Sequence, residues 1–209
     1  MNDRQKTIGR RDFLVGSAQT GGLLLTLMSL PRPLTLQAAE ASSEPEVLAR
    51  EEWQTVEAIT GRIIPTDHEP GAIEANCVNF IDKSLAREDA ELLKTYRDGL
   101  PALARICTRR FKKPFHALSQ AEQDGLLLEL EDGIAQDWDA ESTSSQDFFE
   151  TLRSHTIIAF LSDPKYGGNH DYIGWKVMGY PGPRHMEGGY SKEQLLGTAP
   201  IRAIWGDDV

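Results

Sequence analysis

The stretch DPKYGGNHDYIGWKVMGYPG, residues 163–182, decides how the rest of the chain is organised. It contains five glycines, four aromatic residues and two prolines but few aliphatic residues, which excludes a regular helix or an alternating strand. Tyr and Trp combine a large apolar area with a polar tip, so these side chains are not expected to lie free in water. The sequence therefore predicts a long ordered loop that either folds back onto its own core or serves as a contact surface.

The chain before this loop shows the periodicity of helices. Apolar residues recur at helical spacing over residues 49–64, 73–85, 89–111, 119–130 and, starting at Gln146 or Asp147, up to 161. No alternation of βα units appears, which argues against a nucleotide-binding sheet. The sequence predicts a mainly α-helical domain of about five helices, followed by a long glycine- and aromatic-rich C-terminal loop region.

Turn and capping signals refine the helix boundaries. Ser119 and Glu122 form a capping box at the start of the fourth helix. Pro101 lies inside the third helix and is expected to kink it, or to split it at Gly99. Residues 133–145 are polar and loop-like, and the tail from 190 to 209 is predicted to be extended or irregular.

Charge and cysteine content exclude several classes of function. With 22 basic and 32 acidic residues the net charge is −10, which argues against nucleic acid as a partner. Two cysteines cannot complete a four-cysteine zinc or iron–sulfur site. Cys77 and Cys107 form either one disulfide or two separate buried thiols. An antiparallel pairing of the second and third helices would separate them by ~15 Å, which favours separate thiols.

Residues 1–41 are predicted to be a twin-arginine signal peptide. The motif consists of Arg10, Arg11, Phe13 and Leu14. The apolar stretch behind it, residues 15–30, is about 16 residues long and therefore short for a membrane-spanning helix. Residues 39–41 offer a small-x-small cleavage site, and residues 37–39 a poorer one. Twin-arginine export moves folded proteins, so the mature domain, residues 42–209 with a net charge of −12, is expected in the periplasm.

A search for chemistry along the chain finds no catalytic constellation. Phosphate-binding glycine loops and a nucleophile elbow are absent from the sequence. The tightest polar cluster is Asp67-His68-Glu69, but adjacent residues rarely converge on one metal ion. His155 is predicted to pack or cap within the fifth helix, and Asn169 and Asp171 to hydrogen-bond the loop's own backbone. We therefore expect no catalytic, metal-binding or cofactor-binding residues in this chain.

Two segments resemble the signatures of the gluconate 2-dehydrogenase subunit 3 family. The first is RIIPTDHEPGAIEA, residues 62–75, running on to Phe80-Ile81-Asp82. The second is DPKYGGNHD, residues 163–171, followed by Gly174-Trp175-Lys176 and by GYPG at residues 179–182. Together with the twin-arginine leader, these blocks span most of the chain in the order that the family shows.

The resemblance implies a non-catalytic small subunit of a periplasmic, membrane-associated FAD-dependent sugar or sugar-acid dehydrogenase. In such complexes a large flavoprotein of the glucose–methanol–choline type carries the FAD and oxidises the substrate. A multihaem cytochrome c subunit often passes the electrons to the quinone pool. The large subunit typically lacks a leader and is exported bound to the small one. The resemblance therefore implies a role in folding, stability and export of the flavoprotein, with membrane association through partners only.

The hypothesis for the partner interface combines the aromatic loop with the connector between the first two helices. Aromatic residues are the types that anchor protein interfaces. The residues expected to contact the large subunit, or to brace the surface that does, are Pro65, Asp67, Pro70, Gly71, Tyr166, Gly167, Gly168, Asn169, Trp175 and Tyr180. The alternative is an independent periplasmic sugar-binding protein or enzyme that uses the aromatic loop as a platform for sugar rings.

Overall fold

The structure, a computed structural model, describes residues 45–184 and 189–204. Within these ranges it contains seven α-helices, four short 3₁₀ turns and no β-strand, which confirms the predicted mainly helical fold. The helices are α1 (Arg50–Ile63), α2 (Cys77–Ala86), α3 (Leu93–Phe111), α4 (Gln120–Glu131), α5 (Ser145–Leu161), α6 (Ile173–Val177) and α7 (Lys192–Leu195). The predicted signal peptide, with Arg10, Arg11, Phe13 and Leu14, lies outside the described residues.

Helix α5 lies at the centre of the domain. It contacts all four helices that precede it, α1 to α4, and also α6. Its buried side chains include Phe148, Phe149, Leu152 and Phe160, and the Phe148 ring meets Tyr96 of α3 edge-on with centroids 6.3 Å apart. Across the part of the chain that the structure describes, no helix has both the length and the apolar character needed to cross a membrane.

Side-chain caps fix where several helices begin. The predicted capping box of α4 is present: the Ser119 amide donates to Glu122 Oε2 at 2.8 Å, and Ser119 Oγ accepts from the Glu122 amide. Helix α5 begins at Ser145, slightly earlier than predicted, because Ser144 Oγ accepts from the Asp147 amide at 3.0 Å. A second capping box, at Ser191, starts α7 in the tail that was predicted to be irregular.

Two predicted helix features are corrected by the structure. Ile73 was placed on the apolar face of the second helix, but it lies in a turn with 51% of its surface exposed. Helix α2 starts only at Cys77 because Asn76 has a left-handed conformation (φ 54°) that interrupts the helical path. Of the two outcomes predicted for Pro101, a kink or a split at Gly99, the split does not occur, since α3 continues through Pro101. A Cβ on Gly99 would lie 2.2 Å from the Phe148 ring, so this glycine allows close packing of α5.

The two cysteines are separate thiols. Both Cys77 and Cys107 are free and buried. Burial raises the pKa of Cys77 to about 12. Burial also raises the pKa of Cys107 to about 11, although the nearby Arg110 opposes the rise. Because the thiolate is the reactive form, both cysteines are chemically quiet and act as small core residues.

One buried carboxylate holds the residues that precede α1 in place. Asp82 of α2 is 1% exposed. Its Oδ2 accepts from the Glu46 amide at 2.5 Å, and its Oδ1 accepts from the amides of Val47 at 3.1 Å and Leu48 at 2.7 Å. These three bonds neutralise the cost of burying the charge and fasten the residues before α1 to the middle of α2.

Candidate functional site

The structure brings the two segments of the interface hypothesis together. We call residues 65–76 the connector and residues 163–182 the aromatic segment. The His170 amide donates to the Ala75 carbonyl at 3.1 Å, which joins the two segments directly. Asn79, in the first turn of α2, donates through Nδ2 to the Gly167 carbonyl at 2.7 Å. Residues about 90 positions apart in sequence thus form one continuous surface beside the start of α2.

The connector is held in shape by its own polar groups. Glu74 Oε2 accepts from Thr66 Oγ1 at 2.6 Å and from the Gly71 amide at 3.0 Å. Asp67 Oδ1 accepts from the Glu69 amide at 2.9 Å, and this bond lowers the pKa of the Asp67 carboxyl. A Cβ on Gly71 would lie 2.5 Å from the Ile64 carbonyl oxygen, so only glycine fits where the connector folds back on the end of α1.

Asn169 is the hub of the aromatic segment. Its side chain is fully buried, and its Nδ2 donates to the Ser162 carbonyl at 2.7 Å. Its Oδ1 accepts from the Gly174 amide, also at 2.7 Å. The residue is in the left-handed region (φ 46°), which Asn tolerates better than most residues. Asn169 therefore links the end of α5 to the start of α6, in agreement with the predicted role of hydrogen-bonding the loop's own backbone.

Trp175 is the aromatic core of the segment. It is 6% exposed, and its Nε1 donates to the Leu161 carbonyl at 2.7 Å. Tyr172 stacks on the indole with ring centroids 5.4 Å apart, and Tyr180 meets it edge-on at 5.1 Å. Such offset and edge-to-face pairs stabilise one another beyond the area they bury. The aromatic segment is thus anchored onto the C-terminal end of α5.

Two glycines let the segment lie directly on the backbone of α5. A Cβ on Gly168 would lie 2.4 Å from the Ala159 carbonyl oxygen. On Gly174, a Cβ would lie 1.7 Å from the Phe160 carbonyl oxygen. Neither distance is compatible with any residue larger than glycine. The glycine content that marked this stretch in the sequence thus serves close packing of α6 against α5.

The structure separates the hypothesised interface residues into an inner and an outer set. Within the connector and the aromatic segment, the inner set is buried and consists of Gly71, Gly168, Asn169 and Trp175. The outer set has surface to offer a partner and consists of Asp67, Tyr166 and Tyr180, with Pro65, Pro70 and Gly167 half-buried. The inner residues brace the surface that the outer residues present.

Four further apolar residues, which were not part of the interface hypothesis, are exposed on α5 and at the end of α6. Met178 is 66% exposed and Val177 is 37% exposed. In the sequence both lie between Trp175, which is buried, and Tyr180, which is exposed. On α5, Ile158 and Leu161 are likewise exposed. The sequence shows no signal for Val177 and Met178, because a helix of five residues is too short to show an apolar period.

A chain of polar side chains connects α5 with α3 and with the C-terminal end of α2. His155 of α5 is 4% exposed, and its Nδ1 lies 2.9 Å from the Tyr96 hydroxyl. Its Nε2 lies 3.6 Å from Asp89 Oδ2, and Asp89 in turn accepts a hydrogen bond from Ser84 Oγ. Burial lowers the pKa of His155, and the Asp89 carboxylate only partly offsets this, so the imidazole is neutral at pH 7. His155 is therefore buried in the domain, as predicted, and also contacts polar side chains of neighbouring elements.

The polar cluster Asp67-His68-Glu69 is open to solvent. His68 Nδ1 lies 3.1 Å from Asp67 Oδ1, with 86% of the His68 side chain and 58% of the Asp67 side chain exposed. In the described part of the chain, no three side chains of His, Cys, Asp or Glu are close enough together to hold a metal ion.

Comparison with known proteins gives one result. Residues 50–182, well over half of the chain, match the family model described as gluconate 2-dehydrogenase subunit 3. Searches of curated proteins and of solved structures found no match. The matched region starts with α1 and ends with the aromatic segment, so it contains both segments that the structure joins. The chain belongs to the gluconate 2-dehydrogenase subunit 3 family.

Proposed function

We propose that this chain is the non-catalytic small subunit of a periplasmic, membrane-associated FAD-dependent dehydrogenase that oxidises a sugar or sugar acid. The observation that carries the proposal is the family match over residues 50–182, because the family is named as a subunit of gluconate 2-dehydrogenase. In this proposal the large partner, a flavoprotein of the glucose–methanol–choline type, holds the FAD and oxidises the substrate. A multihaem cytochrome c is the third subunit, and the complex meets the membrane through these partners.

The surface formed by the connector and the aromatic segment is the proposed contact with the flavoprotein. Tyr166 and Tyr180 expose 47% and 37% of their surface, and Met178 exposes 66%. Amphipathic aromatic residues and Met are enriched in protein interfaces because they bury apolar area and still satisfy polar groups. The rigid support from Trp175 and Asn169 lowers the entropy that such a surface loses when it binds.

Export of the complex is the proposed role of the N-terminal segment. Arg10, Arg11, Phe13 and Leu14 supply a twin-arginine motif, and this route carries proteins that are already folded. A flavoprotein that acquires FAD in the cytoplasm and has no leader of its own would cross the membrane bound to this chain. We expect the gene for that flavoprotein to lie beside the gene for this chain.

The interface is tested by a paired-variant experiment on the co-expressed complex. We expect Tyr166→Ala/Met178→Ala to weaken binding of the flavoprotein at least tenfold, because interface aromatic and apolar anchors commonly contribute ~2 kcal/mol or more. Trp175 is a poor probe because it is buried, so a variant at this position would change the stability of the domain as well as binding. The measurement is the dissociation constant of the purified complex, together with the unfolding transition of each variant.

The matched control is Leu128→Ala/Ile134→Ala. These residues are as exposed as the tested pair, 45% and 65%, but lie on α4 and in the loop that follows it. The control should bind like the wild type. If the two double variants bound the flavoprotein with the same dissociation constant, the interface would lie elsewhere. If the wild-type chain bound no flavoprotein, the proposed function would be wrong.

A further inference from the structure

Residues 189–204, which follow the aromatic segment in sequence, lie back against it. We call these residues the strap. Near the start of the strap, the Tyr190 hydroxyl donates to the Gly182 carbonyl at 3.0 Å. Near its end, the Ala203 amide donates to the Tyr172 hydroxyl at 3.3 Å, and Ala203 is only 1% exposed. The strap is therefore attached to the aromatic segment close to both of its own ends.

The strap lies directly on the backbone at Gly182. This residue is buried and has a left-handed conformation (φ 88°), which favours glycine. A Cβ added here would lie 2.9 Å from the Arg202 carbonyl oxygen and 3.3 Å from a methyl group of Ile201. Both of these atoms belong to the strap, so the strap covers the end of the aromatic segment.

The strap also engages the two tyrosines that flank Trp175. The Tyr172 hydroxyl accepts from the Ala203 amide. Burial, together with a hydrogen bond to Tyr190, raises the pKa of the Tyr180 hydroxyl. A tyrosine in an interface contributes its polar tip as well as the area of its ring. A partner that binds these tyrosines must therefore compete with the strap for their hydroxyl groups.

The strap buries little of its own apolar surface. Leu195 and Leu196 of α7 are 68% and 65% exposed, and Ile204 is 61% exposed. Net stabilisation by a hydrogen bond is modest, because water bonds to the same groups when the bond opens. The strap also lies outside the region that matches the family model, which ends at residue 182. The family region thus contains the covered surface but not its cover.

We propose that the strap is an autoinhibitory contact, which covers the surface from Tyr172 to Gly182 in the free chain and leaves it when the flavoprotein binds. This inference rests on the proposed function. The apparent affinity of a surface is reduced by the fraction of time for which it is uncovered. A variant that releases the strap while the helices stay folded is therefore expected to bind the flavoprotein more tightly than the wild type does.

The test measures the dissociation constant of the co-expressed complex for two variants of the full chain. Ala203→Asp places a larger, charged side chain at a buried position, and we expect the dissociation constant to fall about tenfold or more. Tyr190→Phe removes only the hydroxyl that donates to Gly182, and we expect a fall of about threefold or more. This milder variant tests the proposal even if Ala203→Asp does not fold, which its unfolding transition would show.

The matched control is Leu196→Asp, which introduces the same charge at an exposed position of the strap and should leave the dissociation constant unchanged. Hydrogen exchange at the amide of residue 203 reports the strap directly. This amide should be protected in the wild type and in the control, and exchange faster in both strap variants.

Tighter binding by the strap variants, with faster exchange at residue 203, would establish the autoinhibitory contact. Equal binding would show that the strap does not compete with the partner, and weaker binding would make the strap a support for the surface. Either result overturns the proposal and leaves the proposed function standing, as does an unprotected amide at residue 203 in the wild type or undiminished protection in both strap variants. A wild-type chain that binds no flavoprotein would overturn the proposed function itself, and this inference with it.

Discussion

Replacing Gly174 by Ala is expected to destabilise the domain by at least about 3 kcal/mol, because the new methyl group has no room. Its Cβ would lie 1.7 Å from the Phe160 carbonyl oxygen and 2.8 Å from the Phe160 carbonyl carbon, and both atoms belong to backbone that cannot rotate away. Relief requires α6 to move off α5. That movement also breaks the bond from the Gly174 amide to Asn169 Oδ1.

The control for this change is Gly125→Ala. Gly125 lies inside α4, and a Cβ there would meet no atom within 4 Å. Alanine is the better helix former by about 1 kcal/mol, so this variant should be as stable as the wild type or more stable. The measurement is the free energy of unfolding in denaturant for the three proteins. If Gly174→Ala lost less than about 0.5 kcal/mol, α6 would not pack on α5 as described.

Replacing Asp82 by Ala is expected to cost about 3–5 kcal/mol, since it leaves buried donors without an acceptor. The amides of Glu46, Val47 and Leu48 all donate to this one carboxylate, and Leu48 is itself 4% exposed. Asp82→Asn should also destabilise the domain. An amide group has only one acceptor oxygen, and its NH₂ group would face at least one backbone N–H.

Asp132→Ala, at the exposed C-terminal end of α4, is the control and should change the unfolding free energy by no more than about 0.5 kcal/mol. Hydrogen exchange gives the local readout, because the amides of residues 46–48 should lose protection in the Asp82 variants. Unchanged protection of these amides in Asp82→Ala would show that the carboxylate does not hold this segment.

The helices could be predicted because their signals are local. The apolar spacing in α1 gave its ends within one residue, and the Ser119 capping box marked the start of α4. The start of α2 was predicted too early. Ile73 and Cys77 are spaced like residues on one helical face, and this spacing gives no sign of the left-handed backbone at Asn76 that interrupts the helical path. Helix α7 was missed, although Ser191 and Gln194 form a local capping box that could have indicated it.

The candidate site depends on contacts that no local pattern encodes. The bond from the His170 amide to the Ala75 carbonyl joins the connector to the aromatic segment across 95 positions of sequence, and the bond from Asn79 to the Gly167 carbonyl fastens the same segment to α2. Composition identified Trp175 and Tyr166 alike as interface residues, yet the indole is buried and the phenol is half exposed. The cleft that Lys83 of α2 and Ile158 of α5 help to line likewise forms only when these two helices come together.

We propose that this chain has no reaction of its own and acts by binding a flavin-carrying partner. The direct measurement is reconstitution from the purified chain, without residues 1–41, and the separately purified flavoprotein. We expect the isolated chain to show no flavin absorbance, no sugar binding and no turnover, and to elute together with the flavoprotein when the two are mixed. Oxidation or hydrolysis of a sugar by the isolated chain, or separate elution of the two proteins, would contradict the proposed function.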